Sequence, residues 1–302
     1  SKVYELLDNE KIVFGVLKDY DCKFINNVRT RDDVIVVEIT EENRNFISND
    51  IINISKSFGV QFKEETSFNW NKKRIYWYNK ALEHPKSSYP NIFINEIEKH
   101  IGKLKDKTIL DIGAGTGAFA IPLMKKGALI TAVDSSFNMI ESLAYRTYLH
   151  RLNSINCIIS PFEKVNTSIH NIAISAFSGG SIKNIEGIKK MCSLADEYSF
   201  IISSFENQNN NFKTDILYKM LNKPLHKHKI SKYTFTNTIE MLNNLDYEYD
   251  FKEIEYEFSQ YFDDFQEGMD FFIDRFSITT YDEFSIIQDF LEKFLIKRNE
   301  QY

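Results

Sequence analysis

Residues 110–117 read Leu110-Asp111-Ile112-Gly113-Ala114-Gly115-Thr116-Gly117, and the expected fold class follows from this glycine-rich stretch. It continues an apolar run that begins at Thr108, and a helical pattern follows it over 118–126, so it links a strand to a helix. Its three glycines let the backbone adopt left-handed conformations and approach a ligand closely, because glycine has no Cβ. The stretch therefore predicts a nucleotide-binding strand-to-helix turn.

Strand and helix patterns alternate around this turn. Strands are predicted over 108–112, 129–133, 157–159, 172–177 and 199–205, and helices over 91–101, 118–126, 138–152 and 182–194. Strands separated by helices of this length pair in parallel through right-handed crossovers. We therefore expect an α/β fold with a doubly wound, mostly parallel sheet.

An N-terminal segment, residues 1–66, is predicted to form a small α/β unit. Its apolar runs over 12–17 and 34–37 favour strands, and 41–58 favours a helix. The segment carries no catalytic signature. We regard it as a candidate partner-binding or homodimerisation unit.

The remaining residues, 67–302, are predicted to form the catalytic domain. It includes an aromatic helical segment over 67–90 that would cover the site, and mostly helical additions over 206–302. Within these additions, helices are expected over 212–221, 236–245, 265–276 and 281–297, a polar loop over 206–211 and a strand over 247–258. No segment is identified as the antiparallel final strand that such sheets usually carry.

Composition narrows the class of protein. The chain has 302 residues, 43% of them hydrophobic, which suffices for one full-sized core and an appendage. A net charge of -6 disfavours a nucleic-acid partner. The three cysteines show no disulfide or metal-binding spacing, so we expect no metal and a reducing, cytoplasmic location. No apolar run is long enough to cross a bilayer, so we expect no membrane partner.

Asp134 ends the predicted strand that follows the glycine turn. A carboxylate at that position can accept hydrogen bonds from both vicinal hydroxyls of a ribose. Glycines, helix and carboxylate together predict a site for the ribose of an adenosine. The spacing of Gly113, Gly115 and Ala118 also fits the dinucleotide fingerprint, so a nicotinamide cofactor is the alternative.

Asp111 discriminates between these two cofactors. It lies two residues before the first glycine, where it would repel the pyrophosphate of a dinucleotide. S-adenosylmethionine instead carries a sulfonium and an ammonium, and both cations would be attracted to this carboxylate. The residues therefore favour S-adenosylmethionine.

Two motifs in this region resemble those of a known family. The stretch 110–117 resembles the first motif of class I, Rossmann-like S-adenosylmethionine-dependent methyltransferases, and Ala132-Val133-Asp134-Ser135-Ser136 with Met139-Ile140 resembles the second. The order of elements over 91–205 is also similar. The resemblance implies that the methionine end contacts Asp111, Gly113, Ala114, Gly115 and Gly117, the ribose contacts Asp134, and the adenosine is bordered by Ser135 and Met139.

The chain departs from the family pattern after two later strands. Where the family commonly has an Asp for the adenine amino group, this chain has Ser160, Phe162 and Glu163, which become the candidates for that contact. The region over 171–180 lacks the Asn/Asp-Pro-Pro-Tyr/Phe motif that holds a planar amide or amine. Methylation of adenine N6 or of glutamine is therefore disfavoured.

Candidates for contact with the reacting groups follow the fourth core strand or precede the first. Ser175 and Phe177 are predicted near the cofactor and Ser178 near the substrate, with an ordinary loop as the alternative. Ser175 and His84 are the catalytic candidates, and His170, His226 and His228 are weaker candidate bases. Tyr76, Trp77 and Tyr89 would form an aromatic lid, with helix packing as the alternative.

These observations favour methyl transfer to an oxygen, nitrogen or sulfur atom of a small molecule, leaving S-adenosylhomocysteine as product. Methyl transfer is an in-line displacement that mainly needs alignment of the nucleophile, so no catalytic dyad is required. Two alternatives stay open at this point. One is an RNA methyltransferase, and the other is a non-catalytic regulatory protein that binds S-adenosylmethionine or S-adenosylhomocysteine.

Overall fold

A computed structural model describes residues 12–17, 34–39, 70–152, 155–204, 214–223, 235–245 and 247–295. The chain divides into two compact units, of which one comprises Ser1–Asn69 and Ala144–Ile155 and the other Trp70–Leu143 and Asn156–Tyr302. The candidate site lies within the second unit. No helix among the described residues is both long and apolar enough to cross a membrane.

Two strands are described near the N-terminus. β1 (Ile12–Leu17) and β2 (Val34–Ile39) pair in parallel, with Ile12 opposite Val34 and Leu17 opposite Ile39. Both agree with the strands predicted from the apolar runs. The helix predicted over 41–58 lies outside the described residues.

A five-stranded parallel sheet forms the centre of the second unit. Its strands are β3 (Thr108–Ile112), β4 (Leu129–Asp134), β5 (Asn156–Ile159), β6 (His170–Ala176) and β7 (Ala195–Ile202). Their order across the sheet is β5-β4-β3-β6-β7. The chain thus moves from β3 to one edge and then continues on the other side of β3. This confirms the predicted doubly wound fold and puts its switch point between β3 and β6, where such sheets bind ligands.

Helices flank these strands and extend towards the C-terminus. They are α1 (Lys72–Glu83), α2 (Asn91–Ile101), α3 (Ala120–Lys125), α4 (Phe137–Leu149), α5 (Ile185–Ser193), α6 (Thr214–Met220), α7 (Phe235–Asn243), α8 (Phe265–Phe276) and α9 (Tyr281–Phe294). Side chains that accept hydrogen bonds from the first turn cap α1, α5, α8 and α9. At α9, Thr280 and Glu283 form a reciprocal capping box, which fixes the start of the helix.

The central strand is buried because helices cover both faces of the sheet. Leu110 and Ile112 of β3 are inaccessible to solvent and pack with Val133, Phe162 and Ala173. A continuous apolar strand of this kind is typical of parallel sheets. Asp111 is therefore an exception in this strand, since its carboxyl group is buried together with these apolar side chains.

A second apolar cluster joins α1 to the C-terminal helices. Trp77 packs edge-to-face against Phe271, with ring centroids 5.4 Å apart, and also contacts Phe262. Phe272 and Phe290, from α8 and α9, extend the cluster. The aromatic residues of the acidic C-terminal segment are thus largely core residues.

The strand predicted over 247–258 is wrong. This segment forms no strand, and most of its side chains are exposed, among them Tyr247, Tyr249 and Phe251. Lys252 and Glu253 interrupt the alternation of aromatic and acidic residues, so no single apolar face is available for burial against the sheet. The Glu257 backbone instead exchanges hydrogen bonds with the Ser88 hydroxyl, and Lys252 binds Glu96 of α2.

Candidate active site

The glycine turn leaves β3 at the carboxyl edge of the sheet. Gly113, Gly115 and Gly117 all have positive φ angles, of 72°, 56° and 85°. A Cβ on Gly113 would lie 2.3 Å from the Ser178 Cβ, and one on Gly117 would lie 2.2 Å from Leu143 Cδ1. These two glycines are thus required by close packing as well as by conformation, whereas a Cβ on Gly115 would meet only Met139 Sδ at 4.0 Å.

Asp134 is held by the backbone of this turn. One of its carboxylate oxygens accepts a hydrogen bond from the Gly115 amide at 2.9 Å, and the other accepts one from the Ser136 amide at 2.8 Å. Burial raises its pKa, and these amides partly offset that effect. Because each carboxylate oxygen has a second lone pair, the oriented group can still accept hydrogen bonds from two ribose hydroxyls.

Asp111 is buried without the pair of backbone amides that stabilise the Asp134 carboxylate. Its side chain is 2% exposed, and among the described residues Oδ2 has no hydrogen-bond partner. Burial, and secondarily the nearby Asp134, raise its pKa to about 7, while a backbone hydrogen bond from Ala120 acts in the opposite direction. A buried oxygen without a partner is costly, so a ligand cation that reached it would relieve a cost already present in the fold.

Two serines link β6 to β3 at the switch point. The Ser178 hydroxyl donates to the Ile112 carbonyl at 2.7 Å, and its oxygen lies 2.7 Å from the Ser175 hydroxyl. Since the single hydroxyl hydrogen of Ser178 is used on the carbonyl, Ser175 donates to Ser178. Ser175 is 1% exposed. These hydrogen bonds connect the loop after β6 to the end of β3, and no base among the described residues is hydrogen-bonded to either hydroxyl.

An aromatic cluster lies beside Asp111. Tyr89 is 6% exposed, and its ring centroid is 5.8 Å from that of Phe119, 5.7 Å from Phe177, 5.6 Å from Tyr256 and 5.1 Å from Phe258. Burial raises the Tyr89 pKa well above its ordinary value, with smaller contributions from Tyr78, Tyr256 and Asp111. The cluster thus forms an apolar wall next to the buried carboxylate.

Tyr256, Phe93 and Phe119, whose rings pack against Tyr89, are site residues that the sequence reasoning missed. Tyr256 follows Asp111 by more than a hundred residues, in a segment predicted to be a strand. Phe119 lies only two residues after Gly117 and was assigned simply to a helix. Proximity to the glycines was the one signal in the sequence for Phe119, and no signal was present for Tyr256.

The predicted adenosine contacts are only partly brought together. Met139 is buried under Gly115, whereas Ser135 is exposed beside Asp134. Phe162 is 2% exposed and packs in the core with Leu110 and Ile112, and the Lys190 ammonium lies 5.2 Å from its ring centre. Glu163 is exposed and pairs with Lys183. Ala114, within the turn itself, is buried.

The predicted lid residues have three different environments. Tyr89 lies in the aromatic wall, Trp77 lies in the C-terminal apolar cluster, and Tyr76 is 54% exposed. The His84 ring stacks on Tyr261 at 3.4 Å, and its Nδ1 accepts a hydrogen bond from the Lys86 amide. His170 begins β6, at the amino edge of the sheet, and bonds to Thr131. His226 and His228 lie outside the described residues.

A cavity of about 140 Å³ opens beside the two serines. It lies at the carboxyl ends of β6 and β7, between the loop after β6 and helix α7. Its lining residues are Ser175, Phe177, Gly179, Gly180, Ile182, Ile201, Ile202, Ser203, Ser204, Thr238 and Met241. Ser175 and Phe177 belong both to this cavity and to the surroundings of the glycine turn.

The site fits S-adenosylmethionine on its own geometry. A buried carboxylate oxygen lacks a partner among the described residues where a cation would bind, and the glycine turn offers backbone without side chains. Asp134 is oriented by two amides at the end of the neighbouring strand. A dinucleotide would bring its pyrophosphate to Asp111, which the ionised carboxylate would repel.

Comparison with known proteins agrees with this assignment. Residues 110–171 match the sequence model of a methyltransferase domain. A putative methyltransferase from Geobacillus sp. is 40% identical over 65 residues, 22% of this chain and 26% of that protein. The ubiquinone biosynthesis O-methyltransferase of Rickettsia typhi is 26% identical over 125 residues, 41% of this chain and 49% of that protein. The chain thus spans less than half of either relative.

Among solved structures, the YcgJ protein of Bacillus subtilis is 14% identical and gives a TM-score of 0.43, with 67% of this chain and 83% of that chain covered. The domain match covers both motifs quoted above, from β3 to the start of β6. Residues 110–171 thus match a methyltransferase domain, and the motifs and sheet around them are those expected of a class I, Rossmann-like S-adenosylmethionine-dependent methyltransferase.

Proposed function

We propose that this protein transfers the methyl group of S-adenosylmethionine to an oxygen, nitrogen or sulfur atom of a small molecule. The observation that carries the proposal is the buried Oδ2 of Asp111 beside the glycine turn, which has no hydrogen-bond partner in the part of the chain that the structure describes. A protein that only needed this fold would gain stability from an apolar residue in β3. A carboxylate retained at this position is best explained by a cationic ligand.

We assign the binding roles to the chain's own residues as follows. Gly113, Gly115 and Gly117 admit the methionine end, Asp111 attracts its cationic groups, and Asp134 accepts from the ribose hydroxyls. S-adenosylmethionine supplies a methyl group already activated by its positively charged sulfur. What remains for the protein is to align the acceptor and exclude water, and the aromatic wall around Tyr89 serves this purpose.

A small-molecule acceptor is supported by the cavity and by charge. The cavity has about the volume of one that accommodates a benzene-sized guest. The whole chain carries 43 acidic and 37 basic residues, so it presents no excess of positive charge to a nucleic acid. One relative is named as an O-methyltransferase of ubiquinone biosynthesis, which is a small-molecule reaction of that protein.

We further assign residues 67–302 to the methyltransferase domain and treat 1–66 as a separate small unit. His84 remains a predicted general base, although stacking on Tyr261 gives it a structural role as well. A catalytic base is not essential to the proposal, because the acceptor atom can attack without one when it is not protonated.

Isothermal titration of the full chain tests the cofactor assignment. We expect S-adenosylhomocysteine to bind and NAD to show no binding under the same conditions. Asp134→Ala should weaken S-adenosylhomocysteine binding by about tenfold or more, because hydrogen bonds to a charged acceptor are lost. Asp250→Ala, which removes an exposed carboxylate from the 247–258 segment, is the matched control and should bind as the unmodified chain does. Equal affinity of the Asp134→Ala variant would refute the ribose assignment.

A further inference from the structure

The cavity beside Ser175 has a chemical character that restricts its occupant. Its side chains are aliphatic, aromatic or hydroxyl-bearing, and none of its described lining residues is charged. Thr238 is buried on the α7 side, and Ile201 and Ile202 contribute the end of β7. An anion in such a cavity would lose its hydration without gaining a counter-ion, which is strongly unfavourable.

No lining group that the structure describes is placed to accept a proton. Ser175 donates its hydroxyl hydrogen to Ser178, and Ser178 donates to the Ile112 carbonyl, so this chain ends on the backbone. A serine hydroxyl is in any case a very weak base without a histidine or carboxylate beside it. An acceptor that must lose a proton during attack would find no general base among these residues.

We infer that the acceptor group is uncharged, about one ring in size, and attacks through a nitrogen or sulfur lone pair that carries no acidic proton. This inference rests on the proposed methyl transfer and narrows its substrate class. The lone pair forms the new bond to the methyl carbon, the bond between that carbon and sulfur breaks, and its electron pair remains on sulfur. The positive charge thus passes from sulfur to the acceptor, and no proton has to move.

The surroundings of the cavity suit a product that becomes cationic. Phe177 lines it, and the Tyr256 ring lies 5.7 Å from Phe177. Aromatic faces attract cations through their quadrupole, and this attraction is weak for a neutral reactant. The Phe177 ring therefore favours the charge that develops on the acceptor during transfer over the uncharged starting state.

Met241 and Thr238 of α7 form the wall opposite the sheet and are assigned as specificity-determining residues. They lie three residues apart on the helix, so both face the cavity. A larger side chain at Met241 should fill the cavity without touching Asp111, Asp134 or the glycine turn. Acceptor binding and cofactor binding can thus be separated by substitution.

The test uses the full chain saturated with S-adenosylhomocysteine. Pyridine, an uncharged ring with a nitrogen lone pair, and benzoate, a ring of similar size with a negative charge, are compared by saturation-transfer NMR. We expect pyridine to give at least fivefold more transfer than benzoate. Equal or stronger transfer to benzoate would overturn the inference, since it would require a positive charge in the cavity.

Variants of the cavity wall test whether pyridine binds in this cavity. Met241→Trp should abolish pyridine transfer and leave the dissociation constant of S-adenosylhomocysteine within about twofold, which also shows that the variant is folded. Thr236→Trp, on the exposed side of the same helix, is the matched control and should bind pyridine normally. Gly180→Leu, at a lining position where a Cβ would meet no atom within 4 Å, provides a second block at the loop.

Unchanged pyridine transfer in both Met241→Trp and Gly180→Leu would overturn the assignment of the cavity. Such a result would leave the proposed function intact as long as S-adenosylhomocysteine still binds. Failure of S-adenosylhomocysteine to bind the unmodified chain would instead refute the proposed function. With S-adenosylmethionine in place of the product, we expect mass spectrometry to detect N-methylpyridinium.

Discussion

Asp111 and Asp134 lie near the ends of adjacent strands, yet their carboxyl groups differ in their hydrogen bonding. Asp134 receives two backbone amides, whereas Asp111 Oδ2 receives none among the described residues. Burial therefore raises the Asp111 pKa to about 7, far above the value of roughly 4 for an exposed aspartate. Its charge state then changes within the physiological pH range.

This shift predicts that cofactor affinity depends on pH. The pKa of Asp111 is higher in the folded than in the unfolded chain, so folding without ligand becomes less favourable as pH rises towards 7. Over the same range the Asp111 carboxyl group ionises, and its attraction for a cation increases. The dissociation constant of S-adenosylhomocysteine, measured by titration calorimetry, should fall by up to about tenfold between pH 6 and pH 8. Asp111→Asn should bind weakly at both pH values, and an unchanged pH dependence in that variant would exclude Asp111 as its source.

At the scale of elements, α1 connects the site to the C-terminal helices. Trp77 and Tyr78 are neighbours on this helix, yet Trp77 packs with Phe271 whereas Tyr78 contacts Phe258 beside the aromatic wall. Lys80 adds ion pairs to Asp263 and Glu267, which fix the same helix against the start of α8. Packing of α8 and α9 therefore supports the position of α1.

Substitution of Trp77 distinguishes a core role from a lid role. Trp77→Phe should lower the free energy of unfolding by about 1–2 kcal/mol, because it leaves part of an apolar cluster unfilled. The dissociation constant of S-adenosylhomocysteine should stay within about twofold of the unmodified value. Urea unfolding and calorimetry measure the two quantities, and Tyr76→Phe, at an exposed neighbour, is the control. Weakened binding with unchanged stability would instead support a lid.

At the scale of the whole molecule, charge is the property that bears on function. The chain has a net charge of -6, so its long-range field repels phosphate backbones rather than attracting them. Nucleic acids are bound mainly through contacts between basic side chains and phosphates, which release counter-ions. A small uncharged acceptor is not affected by this field.

We therefore expect no RNA binding at physiological salt. In gel-shift measurements with the full chain loaded with S-adenosylhomocysteine, structured RNA should show no complex at about 10 μM protein. Non-specific nucleic-acid binding has dissociation constants of roughly 1–100 μM, and an acidic chain should bind more weakly still. A basic RNA-binding protein of known activity serves as the positive control. A salt-dependent complex at low micromolar protein would favour the RNA methyltransferase alternative.

Local sequence was sufficient to predict the bounds of several strands and helices. The strand over Thr108–Ile112 and the helices over Asn91–Ile101 and Phe265–Phe276 have the predicted bounds, because each has a strong period and a clear start or end. The strand prediction over 247–258 failed because an alternating sequence still needs a neighbouring strand to pair with. The Glu257 amide in this segment donates a hydrogen bond to the hydroxyl of Ser88, which is far away in the sequence.

The cofactor and the fold class could both be predicted from local sequence. The glycine turn, Asp111 and Asp134 lie within 25 residues, so their relation follows from one strand-turn-helix unit and its neighbour. Three features required the folded structure: the aromatic rings packed on Tyr89, the hydrogen bond between Ser175 and Ser178, and the cavity under α7 whose described lining is uncharged. These features depend on contacts between residues distant along the chain, and such contacts are set by packing rather than by local propensity.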